Sequence, residues 1–327
     1  MIDSSDGKET KQINLQKRFH YRGRFEQTLI YLGKLFRMFI YQNDWKALPM
    51  AALIAGLVTF VVGQNLYVTQ EGTLTGCFAL VCICVWNGFF NSIQVVCRER
   101  GVIKREHRAG LHITSYIAAH MIYQACLCAA QVLITIVICR IANITFPARG
   151  LVTNSFILDL AITLFLITYA ADILSLMVSC MVNNTTTAMT VMPFLLIFQL
   201  LFSGGFFELK GPVTRVSDFT VSKWGLNSLC AIGNYNKLGM VTLWNTVFKF
   251  RNIEVEGEKP LLQAIKDLEQ RNMVDEIVLR SGEYNQSADY VSTAANVTNC
   301  WFHLILFIVI FAVLAVLFLE FIDKDKR

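Results

Sequence analysis

Within the apolar stretches of this 327-residue chain, Asp172 is the residue best placed to do chemistry. A carboxyl inside a membrane-thick apolar run can relay a proton or balance a cation. It can equally serve as a hydrogen-bonding group between helices, and that reading carries more weight because buried charge is usually paired or neutralised. Tyr169, Gln124 or a residue of the next helix are its candidate partners. Asp159, in the same run, lies near the run's end and is expected to face lipid headgroups. His120, Gln124 and Gln131 recur at spacings of four and seven, so they share one helical face. In a membrane such a polar stripe more often joins helices than binds a substrate. Catalytic signatures are missing from the sequence: no G-x-x-x-x-G-K-[ST], no H-E-x-x-H, no G-x-S-x-G, and no cysteine pair at metal-ligand spacing. The chain is therefore expected not to be an enzyme and to bind no cofactor or metal of its own.

Those polar residues need helices in an apolar medium to hold them. The composition is 54% hydrophobic and 16% charged with a mean hydropathy of +0.48, well short of the roughly 25% charge of soluble domains. Six apolar runs, about 47–66, 75–96, 113–139, 156–181, 189–207 and 301–321, read as transmembrane helices. The fold class expected is thus an all-α membrane protein with six transmembrane helices. Between the second and third runs lies CRERGVIKREHRAG (97–110), whose Arg98, Arg100, Lys104, Arg105 and Arg108 cannot sit in lipid. Basic residues so dense in a short loop place it in the cytoplasm, and the basic residues of 1–46 and of the tail (Lys324, Lys326, Arg327) put both termini on the same side. The localisation expected is an integral protein of the plasma membrane. Nucleic acid is the rival partner for the basic N-terminus, but adjoining spans make lipid the expected one.

The remaining organisation follows from pattern. Residues 1–46 form a cytoplasmic tail whose 15–41 stretch alternates Phe and Leu with Arg and Lys, the mark of an amphipathic helix lying in the interface. Residues 47–207 hold the first five spans, with the basic loop at 97–112. Residues 208–299 form a large external loop before the last helix; its start (221–232) is apolar enough to re-enter the membrane edge, and 260–271 reads as a short amphipathic helix. Residues 300–327 are the last span and a cytoplasmic tail. Cys230 and Cys300, both at the external side, are candidates for a disulfide. The second and fifth spans are rich in Phe, Met and Thr, including Phe89, Phe90, Thr190, Phe194 and Phe198, which suits either a soft apolar pocket or ordinary packing.

The run ERGVIKREHRAGLHITSY (99–116) resembles the first intracellular loop of G-subfamily ABC transporters and their bacterial type-2 permease relatives, where E-R-x(4)-[KR]-E-[HR]-x-[SAG]-G precedes the third helix. LFSGGFFEL (201–209), followed by VSKWGLNSL (221–229), is similar to the family's fifth-helix exit and the aromatic re-entrant segment after it. The amphipathic N-terminal helix matches the family's connecting helix. The resemblance spans most of residues 20–322 and implies several roles. Glu99, Arg100, Val102, Ile103, Lys104, Arg105, Glu106, His107 and Arg108 would form the coupling element that docks on an ABC ATPase. Two permease copies, identical or homologous, would enclose a path lined by the second and fifth helices. The apolar plug of that path would fall at Gly205 and Phe206, where relatives tend to carry bulky aliphatics, so the glycine departs from the pattern. ATP and magnesium would sit on the partner ATPase, expected as a separate polypeptide because only a short segment precedes the first span.

The leading expectation is a permease subunit of an ATP-driven exporter moving an amphipathic or lipid-like substrate. Two other classes compete. One is a membrane scaffold or sensor whose external loop binds a partner. The other is a proton-coupled carrier built on Asp172, against which stands the lack of inverted repeats.

Overall fold

Long apolar runs fold as helices because lipid offers no partner to a free peptide group, and side-chain caps set where several of them begin. The computed structural model describes residues 23–41, 44–62, 65–205, 207, 211–254 and 259–321. In chain order, the helices of the membrane portion are α1 (Arg24–Tyr41), α2 (Ala47–Val62), α3 (Gln70–Ser92), α4 (Val95–Arg108), α5 (Ile113–Ile141), α6 (Phe156–Met181) and α7 (Thr185–Leu201). Then follow α8 (Val213–Ser217), α9 (Val221–Ile232), α10 (Val241–Lys249), α11 (Pro260–Gln270), α12 (Val274–Ser281) and α13 (Ala294–Glu320). Four stretches are long and apolar enough to cross a membrane: α3 with α4, α5, α6 and α13. The apolar helices α2 and α7 are shorter, with 16 and 17 residues.

The caps explain several shifts from the expected bounds. Thr69 Oγ1 accepts from Gly72 N and starts α3 ahead of residue 75. Asn184 Oδ1 accepts from Thr187 N and starts α7 before 189. Thr293 Oγ1 accepts from Asn296 N and starts α13 ahead of 301. These are ordinary N-caps, each satisfying an orphan donor. The second span ends earlier than 96: Ile93 and Gln94 form a joint, and Ser179 Oγ of α6 accepts from Val96 N at 3.1 Å and Cys97 N at 3.2 Å. The basic connection between the second and third runs is helical, as α4, from Val95 to Arg108.

At the centre lies α6, packed against α3, α13, α5 and α9. The α3–α6 approach requires Gly88, since a Cβ there would stand 2.5 Å from the Thr168 carbonyl oxygen. Trp301 Nε1 of α13 donates to Thr163 Oγ1 of α6 at 2.8 Å, and Thr163 Oγ1 meets Ser228 Oγ of α9 at 3.3 Å. Three helices are thereby joined at one hydroxyl.

Asp159 is a correction. It is fully buried and does not face headgroups. Its carboxylate accepts from Leu151 N, Val152 N, Thr153 N and Thr153 Oγ1 at 2.6–3.0 Å, folding the preceding segment over the start of α6. Cys230 and Cys300 are both buried free thiols, so the candidate disulfide is not formed.

The described residues of the 208–299 connection are folded. Its apolar start is α9, ten of whose residues are buried, and Gln199 Oε1 of α7 accepts from Val221 N and Ser222 N at the helix's first turn. Glu71 of α3 accepts from Val241 N and Thr242 N, holding the start of α10, while Gln70 Nε2 donates to the Gly282 carbonyl. Within this cap, burial pushes the Tyr235 phenol up to about 12, so it stays protonated, and its oxygen accepts from Asn285 Nδ2 at 3.2 Å.

Candidate functional site

Alternation of apolar and basic residues makes α4 amphipathic, and tertiary contacts hold it firmly. Val96, Cys97 and Ile103 are buried on one side. Arg98, Gly101, Arg105 and Arg108 are exposed on the other, at the i, i+3, i+7 spacing of a single helical face. Arg100 reaches back to α6, where its Nη1 donates to the Cys180 carbonyl at 2.9 Å and the Val182 carbonyl at 3.0 Å. Those carbonyls lie at the negative end of α6, so a guanidinium there is favoured both by hydrogen bonding and by the helix dipole. Lys104 and Glu106 are partly buried along the flanks, with Val102. His107 Nδ1 meets the Leu111 carbonyl at 2.9 Å and closes the turn into α5.

The amphipathic helix α1 is tied to the same turn. Gln27 Nε2 donates to the Gly110 carbonyl, and Gln27 Oε1 accepts from His112 N at 3.0 Å. Ser115 Oγ donates to the Arg24 carbonyl at 2.9 Å, Tyr31 packs edge-on against Tyr116, and Lys34 lies 4.0 Å from Glu99. The turn after α4 is thus joined to α1 and α5, and α4 itself to α6. The 15–22 part of the expected amphipathic stretch lies outside the described residues.

The residues expected to line a path divide into two groups. On α3, Phe90 is half exposed and packs on Trp86. On α7, Thr190, Phe194 and Phe198 are exposed on one face while Ala188, Met192, Leu196 and Gln199 turn inward. Phe89 is the correction: it is fully buried in the core and has no open side, because consecutive helical residues point about 100° apart. Gly205 lies against Phe78 of α3, whose ring fills the space that a Cβ at 205 would enter. The space beside Gly205 is thus taken by an aromatic side chain from another helix. Phe206 lies outside the described residues.

Asp172 is fully buried. Its Oδ2 accepts from Cys128 Sγ of α5 at 3.3 Å, with Ser92 of α3 beside the carboxyl. Neither Tyr169 nor Gln124 binds it: the Tyr169 hydroxyl donates to the Met121 carbonyl, and Gln124 Nε2 donates to the Asn91 carbonyl. Asn91 and Gln131 exchange a reciprocal amide pair at 2.9 Å in both directions, and Asn91 Nδ2 also reaches Cys128 Sγ. The polar residues thus bridge α3, α5 and α6. Among the described residues, no group of three or more His, Cys, Asp or Glu could hold a metal ion.

Sequence reading missed the partner Asn91, which lies in the second apolar run as an unremarkable amide. It also missed a cavity of about 380 Å³ bounded by α1, the α3–α4 joint and α5, with Phe90, His120 and Gln124 on its wall. Only the fold brings Phe90 of α3 and residues of α1 to the His120–Gln124 face of α5, since those helices are distant in the chain.

Comparison with known proteins matches the sequence to a family. The model of the ABC-2 type transporter covers residues 30–230, from α1 through α9. The chain is also 27% identical over 161 residues to the ABC transporter ATP-binding/permease protein Rv1747 of Mycobacterium tuberculosis. That match takes in 47% of this chain and 18% of the relative, so the chain spans less than a fifth of that protein's length. With helices long enough to cross a bilayer and a family match over well over half its length, this chain is an integral membrane protein of the ABC-2 type transporter family.

Proposed function

We propose that this chain is the permease subunit of an ATP-driven exporter, working as a dimer with separate ATPase subunits that carry ATP and magnesium. The apolar helices α2, α3, α5, α6, α7 and α13 are its six spans, both termini are cytoplasmic, and the membrane is the plasma membrane. Six crossings with the basic α4 inside satisfy the positive-inside bias. The cargo is amphipathic or lipid-like, in keeping with the apolar and aromatic faces of α3 and α7. Phe78 against Gly205 acts as the outer constriction of the path. The relative named above is an ATP-binding/permease protein, which supports an ATPase as partner.

One observation carries this reading: α4 exposes Arg105 and Arg108 outward while Arg100 and the Ser179 hydroxyl fasten its other side to α6. A helix so mounted is suited to receive a push and to pass it on, shifting the helices between inward- and outward-facing arrangements. The test is the double variant Arg105→Glu/Arg108→Glu. Co-purification of the ATPase should weaken by at least about tenfold, about 1.4 kcal/mol, with membrane insertion unchanged. Undiminished ATPase capture would refute the docking role of α4. Transport that survives ATP depletion would refute the energy source.

A further inference from the structure

A cavity of about 510 Å³ lies between α9, the exit of α7 and the single turn Ala288–Tyr290. Lys223 and Asn227, one turn apart on α9, both line it. Lys223 is paired with Asp218, so its charge is matched. Asn227 is only 6% exposed, and its carboxamide has no hydrogen-bond partner among the described residues. Neither of its polar atoms is sealed inside the protein, so the exposure it keeps opens on the cavity. Tyr235 and Tyr290 continue the wall, their rings edge to face at 5.0 Å. The Tyr235 oxygen accepts from Asn285 Nδ2, which leaves its proton to donate. The Tyr290 hydroxyl has no partner among the described residues and is not sealed either. Asp289 makes no ion pair among the described residues and gives the wall its unmatched charge. Phe207, 62% exposed, and half-buried Tyr290 add apolar ring surface.

We infer that this cavity binds a neutral pyranose, whether a free sugar or the headgroup of a glycolipid. Vicinal ring hydroxyls meet the Asn227 carboxamide and the two tyrosine hydroxyls, and the C–H face of the ring lies against Phe207 and Tyr290. The chemistry of the wall selects this class. A carboxamide both donates and accepts, and a hydroxyl can answer both needs, whereas an ionised carboxylate only accepts and an ammonium only donates. Water could answer the polar groups but leaves the aromatic surface unused, while a sugar ring presents hydroxyls at its edge and carbon on its face. Asp289 accepts from a further hydroxyl and turns away anionic relatives. The volume lies in the range of small-molecule sites, ~300–1,000 Å³. The inference goes beyond the export reading and takes from it only that this end of α7 is external. Binding needs neither ATP nor the ATPase, so it can fail while ATPase capture by α4 stands, and the reverse.

The experiment follows methyl glucoside, methyl mannoside and methyl galactoside by saturation-transfer NMR on the full chain in nanodiscs of phosphatidylcholine. At least one should bind saturably, with its 6-phosphate and the hydroxyl-poor ring tetrahydropyran-2-methanol each about tenfold weaker. Asn227→Leu should weaken the sugar by at least about tenfold, and Asp289→Asn should narrow the gap between the sugar and its phosphate. The matching glycosyl diacylglycerol, placed in the nanodisc, tells the sources apart: displacement of the free glycoside makes a lipid headgroup the ligand, and no displacement makes it a free sugar. Binding of none of the three glycosides, equal binding of the hydroxyl-poor ring, or binding unchanged by Asn227→Leu would mean a cavity that holds only water and would overturn the inference. Should Asn227→Leu not fold, Ala288→Trp fills the space from the exposed side of the wall. It should abolish binding, and retained binding in that variant would equally overturn the proposal.

Discussion

Asp159 accepts from three backbone amides and one hydroxyl of the segment just before its own helix, so its carboxylate is a structural acceptor with every oxygen in use. Replacing it by Ala leaves four part-buried donors without their acceptor, each costing up to about 1–3 kcal/mol where water cannot replace it. Asp159→Ala should therefore lose about 1–3 kcal/mol and expose residues 149–155 to protease, with Asp159→Asn intermediate; an unchanged cleavage pattern would contradict this role. Asp172 differs because its partner is a thiol donor on another helix. The amide of Asp172→Asn can keep an acceptor toward Cys128, so ATP-driven export should stay within about twofold of wild type. Abolished export would revive the proton-carrier reading. The presence of both acids in an apolar run was legible from sequence, but their roles were not. The donors to Asp159 come from a loop with no pattern, and Asn91, which organises Gln124, Gln131 and Cys128, carries no charge to mark it.

At the scale of elements, hydropathy located the apolar helices, and the bounds of α6 agree with the run 156–181. It failed where an apolar residue serves something other than a span. Val96 looks like the tail of the second run, yet with Cys97 it belongs to the buried side of α4, and the amides of both are fixed by Ser179. Two glycines test the distinction between packed and open helix faces. Gly101 faces open space on α4, with nothing within 4 Å of an added Cβ, and Ala is about 1 kcal/mol better than Gly inside a helix. Gly101→Ala should raise the thermal midpoint of the purified chain. Gly88 has a φ compatible with any residue but no room, because the added Cβ would meet the Thr168 carbonyl oxygen and Ala171. Gly88→Val should force α3 from α6 and lower the yield of folded protein. If both variants behaved alike, the close α3–α6 approach would be wrong.

For the whole molecule, the proposed dimer raises the question of which exposed apolar face meets lipid and which meets a second copy. On α13 the exposed positions include Phe302, Ile305, Val309, Val313 and Leu317, a purely hydrocarbon surface. The exposed face of α7 is mixed: Thr190 lies beside Phe194 and Phe198, and its hydroxyl is satisfied by the Thr186 carbonyl. Lipid gives no hydrophobic drive for helices to associate, so association in a bilayer relies on close packing and on small or hydroxyl-bearing residues. In the dimer proposed above, the mixed face of α7 would then meet the second copy and α13 would meet lipid. A two-fold dimer brings the same position of each copy toward its mate, so one introduced cysteine per copy suffices to detect it. Cys126 is the exposed native thiol among the described residues; in a Cys126→Ser background, Thr190→Cys should give an oxidant-dependent covalent dimer and Val309→Cys should not. The reverse pattern would put the dimer seam on α13, and with it would fall the assignment of Phe90, Thr190, Phe194 and Phe198 to a path between two copies.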